Sequence, residues 1–520
     1  MPGSGNSKSS RRSDGAASTV LCFFVSAAVM AAAVAYFYRS GGTLYAGDAE
    51  AHLDIARRLV DSRTPGWSQI GTTWLPLPHL LMVPLVRNDW MWRTGLAGAI
   101  VSALSTSLAA AFLFASVQRI YQSAAAAGGA VAVFLMNPNT LYLGSVPMTE
   151  PVFFAACFAL LYFTVRFREA QGWGALIGAG IAAFAGALTR YEGWFLMPFA
   201  AAYILTCGRG KRPLRQWAAA VLFCAIGGAA PALWLAHNRW YFGDPLYFYR
   251  GPYSALAIQG TSNYPGRGDW RVATQYFFAA GKLVIGWPAG LAGGAGVIVS
   301  LFRHAFWPLI FLALPPIFYV WSIHSSATPI YVPTLWPHTF YNTRYALALL
   351  PLVAFGCAAL LHMARTRFVK LSAVAVVAIA LSPFLIHPSE HPIVWREAEI
   401  NSRARRQWIT EAAAYLRNAA GPNETFFTSF GELTAIYRTL GIPLRDTLTG
   451  DNDVEWAAAV ARPDLFLHTD WAVVTGGDTV QGAIDKARLH GPRYELTRRI
   501  TVKGAPAIEI YRRMDENPVY

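Results

Sequence analysis

Charge is scarce in this chain. Only 14% of its 520 residues are Asp, Glu, Lys or Arg, where an ordinary soluble domain carries roughly 25%. With 54% hydrophobic residues, this excludes a chain that lies wholly in water, and most of it belongs in lipid. Acids are the scarcer sign: 29 Asp and Glu stand against 43 Lys and Arg, giving +14. In a membrane protein that excess reflects basic cytoplasmic loops, so it does not call for a nucleic-acid partner. Cysteine is rare as well. Cys22, Cys157, Cys207, Cys224 and Cys357 all fall in or beside apolar runs, without a CxxC pair, and leave the redox compartment unread. Neither a 20–50-residue repeat nor an inverted repeat of the membrane part is present, which counts against the common transporter plans.

What the chain has instead is a series of apolar runs long enough to cross a bilayer. They lie near 19–38, 94–117, 124–143, 151–166, 174–189, 193–207, 216–236, 283–302, 305–323, 345–363 and 369–387, and predict about eleven transmembrane helices. A cleaved signal peptide is the competing reading of the first 38 residues, although the apolar core is longer than such signals use. With the tail bearing Lys8, Arg11 and Arg12 in the cytoplasm, the basic residues of the short loops fall on the same side: Arg119, then Arg166 and Arg168, then Arg209, Lys211, Arg212 and Arg215, then Arg303, then Arg365, Arg367 and Lys370. That is the positive-inside pattern.

The acids then collect on the opposite face. Directly after the first span the chain reads Tyr45-Ala-Gly-Asp48-Ala-Glu50-Ala-His52-Leu-Asp54-Ile-Ala-Arg57-Arg58. An ionised carboxylate costs about 3 kcal/mol at the centre of a membrane helix, so acids beside apolar spans have partners or work to do. Helical spacing puts Asp48 and His52 on one face and Glu50 and Asp54 on another. The second face, with Arg57 and Arg58 in reach, reads as a solvated set of ion pairs. For Asp48 two readings stand, a catalytic carboxylate and an N-cap for a helix beginning at Ala49. The same side holds the stretch from Asn137 to Glu150, Thr189-Arg190-Tyr191-Glu192-Gly193, and two long loops at about 237–282 and 324–344. Long loops in a compact helical protein often carry function. The first begins His237-Asn238-Arg239-Trp240-Tyr241-Phe242-Gly243-Asp244, which reads equally well as an aromatic interfacial belt and as a groove for a lipid headgroup.

Beyond residue 388 the texture changes. Residues 390–520 alternate helical and strand-like segments: a helix near 397–419, a strand around Thr425 to Ser429, a short helix after Gly431, a strand Trp471 to Thr475, a helix near 479–489 and a hairpin from Tyr494 to Tyr511. The expectation is a soluble α/β domain of about 130 residues. The chain thus divides into a tail at 1–18, a membrane domain at 19–389 and an extracytoplasmic domain at 390–520, with the odd number of spans placing the last outside.

The order of several segments resembles the polytopic glycosyltransferases of the GT-C fold, in particular the bacterial branch related to protein O-mannosyltransferases and the lipid A aminoarabinose transferase. The segments are Gly47-Asp48-Ala-Glu-Ala-His52, Trp74-Leu-Pro76-Leu-Pro78-His79, Met148-Thr149-Glu150-Pro151, Leu188-Thr189-Arg190-Tyr191-Glu192-Gly193, Phe242-Gly243-Asp244-Pro245 and Tyr341-Asn342-Thr343-Arg344-Tyr345. The resemblance covers roughly residues 19–390. Many relatives have adjacent Asp-Glu in the first loop, whereas Ala49 separates Asp48 from Glu50 here. The oligosaccharyltransferase signature Trp-Trp-Asp-Tyr-Gly is absent, which argues against transfer of a preassembled glycan to Asn.

The resemblance implies inverting transfer of one sugar, a hexose or pentose, from a polyprenyl-phosphate donor to an acceptor hydroxyl on protein, glycolipid or wall glycan, outside the cell inner (plasma) membrane. Asp48 is then the base, with Glu50 as the second catalytic candidate. Arg344 is the candidate for the donor phosphate, against the alternative of an interfacial anchor. His52, Glu150, Arg190, Glu192, Arg239 and Tyr345 complete the substrate-binding candidates, with Arg190 and Glu192 also readable as a structural ion pair. No cofactor is expected. His52, His79 and Glu150 could ligate a divalent metal but lack a tight ligand spacing. The alternative function is a multi-pass transporter of a lipid or envelope precursor.

Overall fold

The computed structural model describes residues 5–208, 213–260, 262–364, 368–386, 392–429 and 431–514. The basic residues Arg209, Lys211, Arg212, Arg365 and Arg367 lie outside the described residues, as do the side chains of Lys8, Arg11 and Arg12. The chain forms two compact units, each discontinuous in sequence. The first comprises Met1–Ser40, Thr72–Pro78 and Ala99–Glu397, and the second Gly41–Gly71, His79–Gly98 and Ala398–Tyr520.

The first unit is helical. Among the described residues, six helices are long and apolar enough to cross a membrane: Gly15–Arg39, Leu96–Tyr121, Glu150–Ala170, Pro213–Phe242, Phe306–Ser325 and Thr343–Met363. A seventh span results if Trp270–Ile285 and Trp287–Phe302, bent by 108° at their junction, count as one. The bend is at Gly286, whose φ of +82° suits a residue without a Cβ. The expected runs at 124–143, 174–189, 193–207 and 369–387 form the shorter helices Ala124–Leu135, Trp173–Ala187, Tyr191–Thr206 and Val369–Ile386. Apolar length alone does not reveal where such a run is interrupted: Asn137 caps a separate helix Pro138–Leu143. The chain is therefore a multi-pass membrane protein.

Small residues set the closest helix contacts, as they do where lipid supplies no hydrophobic drive between helices. Trp287–Phe302 lies against Leu350–Met363 so closely that a Cβ on Gly296 would overlap the carbonyl of Gly356. A Cβ on Gly193 would likewise strike the backbone of Gly186, so the turn between Trp173–Ala187 and Tyr191–Thr206 closes only with glycine there. Thr189 and Arg190 donate their N–H groups to the Gly186 carbonyl at 3.1 and 3.0 Å, and the extended Arg190 becomes the N-cap of the next helix. The expected loop at 237–282 starts later than the sequence indicated, because Pro213–Phe242 remains helical through His237, Asn238, Arg239 and Trp240.

The second unit combines the first-loop helix Gly47–Arg58 with the C-terminal sheet. Its strands are β1 (Phe426–Thr428), β2 (Thr447–Leu448), β3 (Trp471–Thr475), β4 (Tyr494–Ile500) and β5 (Ile508–Arg513), in the order β2-β1-β3-β5-β4. β1 runs parallel to β2 and β3, whereas β5 runs antiparallel to β3 and to β4. Alternation along β3 serves two cores. Trp471 and Val473 join Trp408, Ile436 and Ile510 on one face. Ala472 and Val474 join Phe427, Ile484 and Tyr511 on the other.

Candidate active site

Glu150 opens the span Glu150–Ala170 and is buried there. Its Oε1 accepts from Arg344 Nε at 3.1 Å and lies 3.1 Å from Arg190 Nη1. Arg190 is the hub of the cluster. It donates from Nε to Glu192 Oε1 at 2.7 Å, from Nη1 to the Thr149 hydroxyl at 2.6 Å and from Nη2 to Tyr319 Oη at 2.8 Å. Tyr319 in turn donates to Glu192 Oε1 and stacks on Tyr345 with ring centroids 4.8 Å apart. Both guanidinium groups, those of Arg190 and Arg344, lie over the Tyr345 ring at 5.5 and 5.0 Å. The sequence candidates Glu150, Arg190, Glu192, Arg344 and Tyr345 thus form one polar network among spans. Such a group is costly in an apolar setting unless its members satisfy one another.

The start of the Arg344 segment is fixed by a partner that spacing could not reveal. Glu397 accepts from the N–H groups of Asn342 and Thr343 at 2.8 and 2.9 Å and from the Thr343 hydroxyl at 2.5 Å. Those donors are the ones that a helix start leaves unsatisfied. Burial raises the Glu397 pKa, while Arg344 and these hydrogen bonds pull the other way. Asn342, at φ +54°, makes the sharp entry.

Arg239 lies on the helix Pro213–Phe242 and not in the expected loop. It is exposed near the end of Pro213–Phe242 and donates to the Gly243 carbonyl at 3.1 Å, the position of a basic residue closing its own helix.

In the second unit, Asp48 is half-buried in the first turn of Gly47–Arg58, and Ala46, not Asp48, is the N-cap residue. A carboxylate in that turn is favoured by the positive end of the helix dipole. Glu50 and Asp54 overturn the solvated-face expectation, since both are buried. Glu50 accepts from Arg438 Nη2 at 2.5 Å and lies 3.5 Å from Arg405 Nη1. Asp54 accepts from Trp92 Nε1 at 3.1 Å. Its pKa is pushed up to about 7, first by burial and then by the Glu50 charge, against the pull of Arg438 and Arg58. Arg57 and Arg58 find other acids: Arg57 bridges Asp61 at 2.8 Å and Asp89 at 2.6 Å, and Arg58 pairs with Asp451. His52 Nδ1 meets His79 Nε2 at 3.0 Å with both rings buried, so one ring donates and the other accepts. Among the described residues, no group of three or more His, Cys, Asp or Glu could hold a metal.

Residues 92–234 match the family described as dolichyl-phosphate-mannose-protein mannosyltransferase. Among solved structures, ArnT from Cupriavidus metallidurans bound to undecaprenyl phosphate superposes with a TM-score of 0.55 at 14% identity, covering 92% of this chain and 97% of that one. The fold is that of ArnT. Its apo state gives the same score and identity over 89% of this chain and 92% of that one. The chain therefore has the polytopic GT-C architecture of ArnT, carrying a C-terminal α/β part, as the sequence motifs indicated. No curated protein matches the chain by sequence.

Proposed function

We propose that the protein is a membrane glycosyltransferase that moves a single sugar from a polyprenyl-phosphate-linked donor to an acceptor hydroxyl on the extracytoplasmic side of the inner membrane, with inversion. The observation that carries this reading is the convergence of Arg190 and Arg344 on Glu150 at the opening of a span. A leaving polyprenyl phosphate gathers charge as its bond to the anomeric carbon breaks. A guanidinium whose orientation is fixed beforehand stabilises that charge without reorganising. Glu150 orients Arg344 through Nε, and the Tyr345 ring supports its plane. Arg344 is thus the phosphate-holding residue, with Arg190 and Glu192 as the frame that keeps the network in place. The mannosyltransferase match and the undecaprenyl phosphate bound by ArnT support a donor of this lipid class.

The acceptor oxygen must lose a proton as it attacks, and Asp48 is the base in this proposal. Positioned bases contribute about 10²–10⁴ in rate. Glu50, held by two arginines, is better suited to fixing the first-loop helix than to taking a proton.

The test is transfer from a radiolabelled polyprenyl-phosphate sugar by purified protein in detergent, where transport yields no signal. Labelled acceptor from wild type supports the proposal. Absence of transfer across hexose and pentose donors, with solute uptake in vesicles, would replace it with transport.

A further inference from the structure

The span Glu150–Ala170 has a second polar site at its other end. Arg168 lies 18 residues beyond Glu150, about 27 Å along a helix axis at 1.5 Å per residue. There a cleft of about 740 Å³ is lined by Arg119, Arg168, Glu169, Arg215, Gln216 and their neighbours. The positive-inside pattern had grouped Arg119, Arg168 and Arg215 on one side, and they do line this one cleft.

The three arginines are unequally matched. Arg119 pairs with Glu169 at 2.5 Å. Arg168 has the Tyr203 hydroxyl at 3.4 Å and the Tyr203 ring at 5.8 Å. Arg215 donates to the Gln171 carbonyl and lies 5.7 Å from the Trp173 ring. Among the described residues no acid pairs with Arg168 or Arg215. On one wall Tyr203 stacks on Trp307 at 4.0 Å and 5°. Gln216 is 5% exposed and spends its amide N–H on Gln171 Oε1 at 2.8 Å. Its Oε1, buried at the same wall, has no hydrogen-bond partner among the described residues. A buried acceptor left without a donor costs about 1–3 kcal/mol, so it marks a place where a donor belongs. Around the cleft, Trp173, Leu214, Trp217, Phe302 and Phe306 are exposed apolar side chains on the same helix ends.

We propose that this cleft binds an anionic glycerophospholipid whose headgroup carries a hydroxyl, as in phosphatidylglycerol: the phosphate on Arg168 and Arg215, the hydroxyl on Gln216 Oε1, and the acyl chains along the apolar rim. Basic pockets between membrane helices hold such headgroups at the cytoplasmic surface. A free phosphate would satisfy the arginines but would leave the rim and Gln216 Oε1 without a role. An ethanolamine headgroup would reach Gln216 but bring no net charge to the two arginines.

The test is native mass spectrometry of the full chain, delipidated in detergent, with phosphatidylglycerol, phosphatidic acid, phosphatidylethanolamine and phosphatidylcholine of matched acyl chains. Wild type should retain phosphatidylglycerol at about tenfold lower concentration than phosphatidylcholine, with phosphatidic acid intermediate. The double variant Arg168→Gln with Arg215→Gln should lose that preference. Arg166→Gln, an exposed arginine that does not line the cleft, should keep it. Gln216→Leu should abolish the advantage of phosphatidylglycerol over phosphatidic acid alone. Equal retention of all four lipids by wild type, or the same loss in Arg166→Gln, would overturn the proposal. So would displacement of phosphatidylglycerol by millimolar inorganic phosphate, which would make this a free-anion site. The wild-type ranking needs no variant, so a double variant that fails to fold leaves the test decisive. No outcome depends on glycosyl transfer.

Discussion

Glu50 and Arg438 form a buried ion pair at 2.5 Å between residues 388 positions apart. Removing the charge of Glu50 leaves Arg438 and Arg405 facing a neutral amide. Uncoupling one partner of a buried pair costs about 3–5 kcal/mol. Glu50→Gln should therefore lower the melting temperature in detergent well below that of Asp48→Asn. Equal melting temperatures for the two variants would refute the structural role given to Glu50.

Asp48→Asn keeps size and position but cannot accept a proton. Turnover in the detergent transfer assay should fall about 10²-fold or more while the melting temperature stays close to wild type. Near-normal turnover would transfer the base role to another group.

Arg344→Lys keeps the charge but loses the planar fork, which a phosphate takes in two parallel hydrogen bonds. Most of the transfer activity should go with it. An interfacial anchor would tolerate lysine, since both side chains snorkel, so full activity in Arg344→Lys rejects the phosphate role.

Asp54 gives a pH signature. Its folded pKa of about 7 exceeds the ordinary 3.8, so the folded state binds the proton more tightly than the unfolded one. Its contribution to stability is thus fully present below about pH 4, declines as pH rises, and is gone above about pH 7. Asp54→Asn keeps an acceptor for Trp92 and removes the titration. The melting-temperature difference, variant minus wild type, should grow between pH 4 and pH 7 and then level off. A flat difference across that range would show that Asp54 is ionised when folded.

The orientation rests on the basic loops. A periplasmic-type reporter fused after residue 400 should be active outside the cytoplasm. Activity only inside would reverse the sidedness assigned to every candidate residue.

The C-terminal fold was legible because alternating apolar residues and turn residues are local signals: Trp471–Thr475 and the helix Thr479–His490 lie where the pattern put them. The two-residue strand Thr447–Leu448 and the helix Val454–Ala461 were missed, being too short or too weakly patterned. In the candidate site, Glu150, Arg190, Glu192, Arg344 and Tyr345 stood out because charge beside apolar runs is conspicuous. Tyr319 did not, since one tyrosine inside the aromatic run Phe306–Ser325 looks like any other. The Glu50 face was misread for a similar reason. Its nearest charges in sequence are Arg57 and Arg58, whereas its partners in space, Arg405 and Arg438, come from far downstream.

The hold of Glu397 on Asn342 and Thr343 sets a schedule for biosynthesis. Arg344 is synthesised before residue 397, and two apolar helices, Leu350–Met363 and Val369–Ile386, lie in between. A nascent chain paused in that interval already contains Glu150, Arg190 and Tyr319, yet the segment carrying Arg344 has no cap. The segment carrying Arg344 can therefore be capped only once both of these helices and residue 397 have been made.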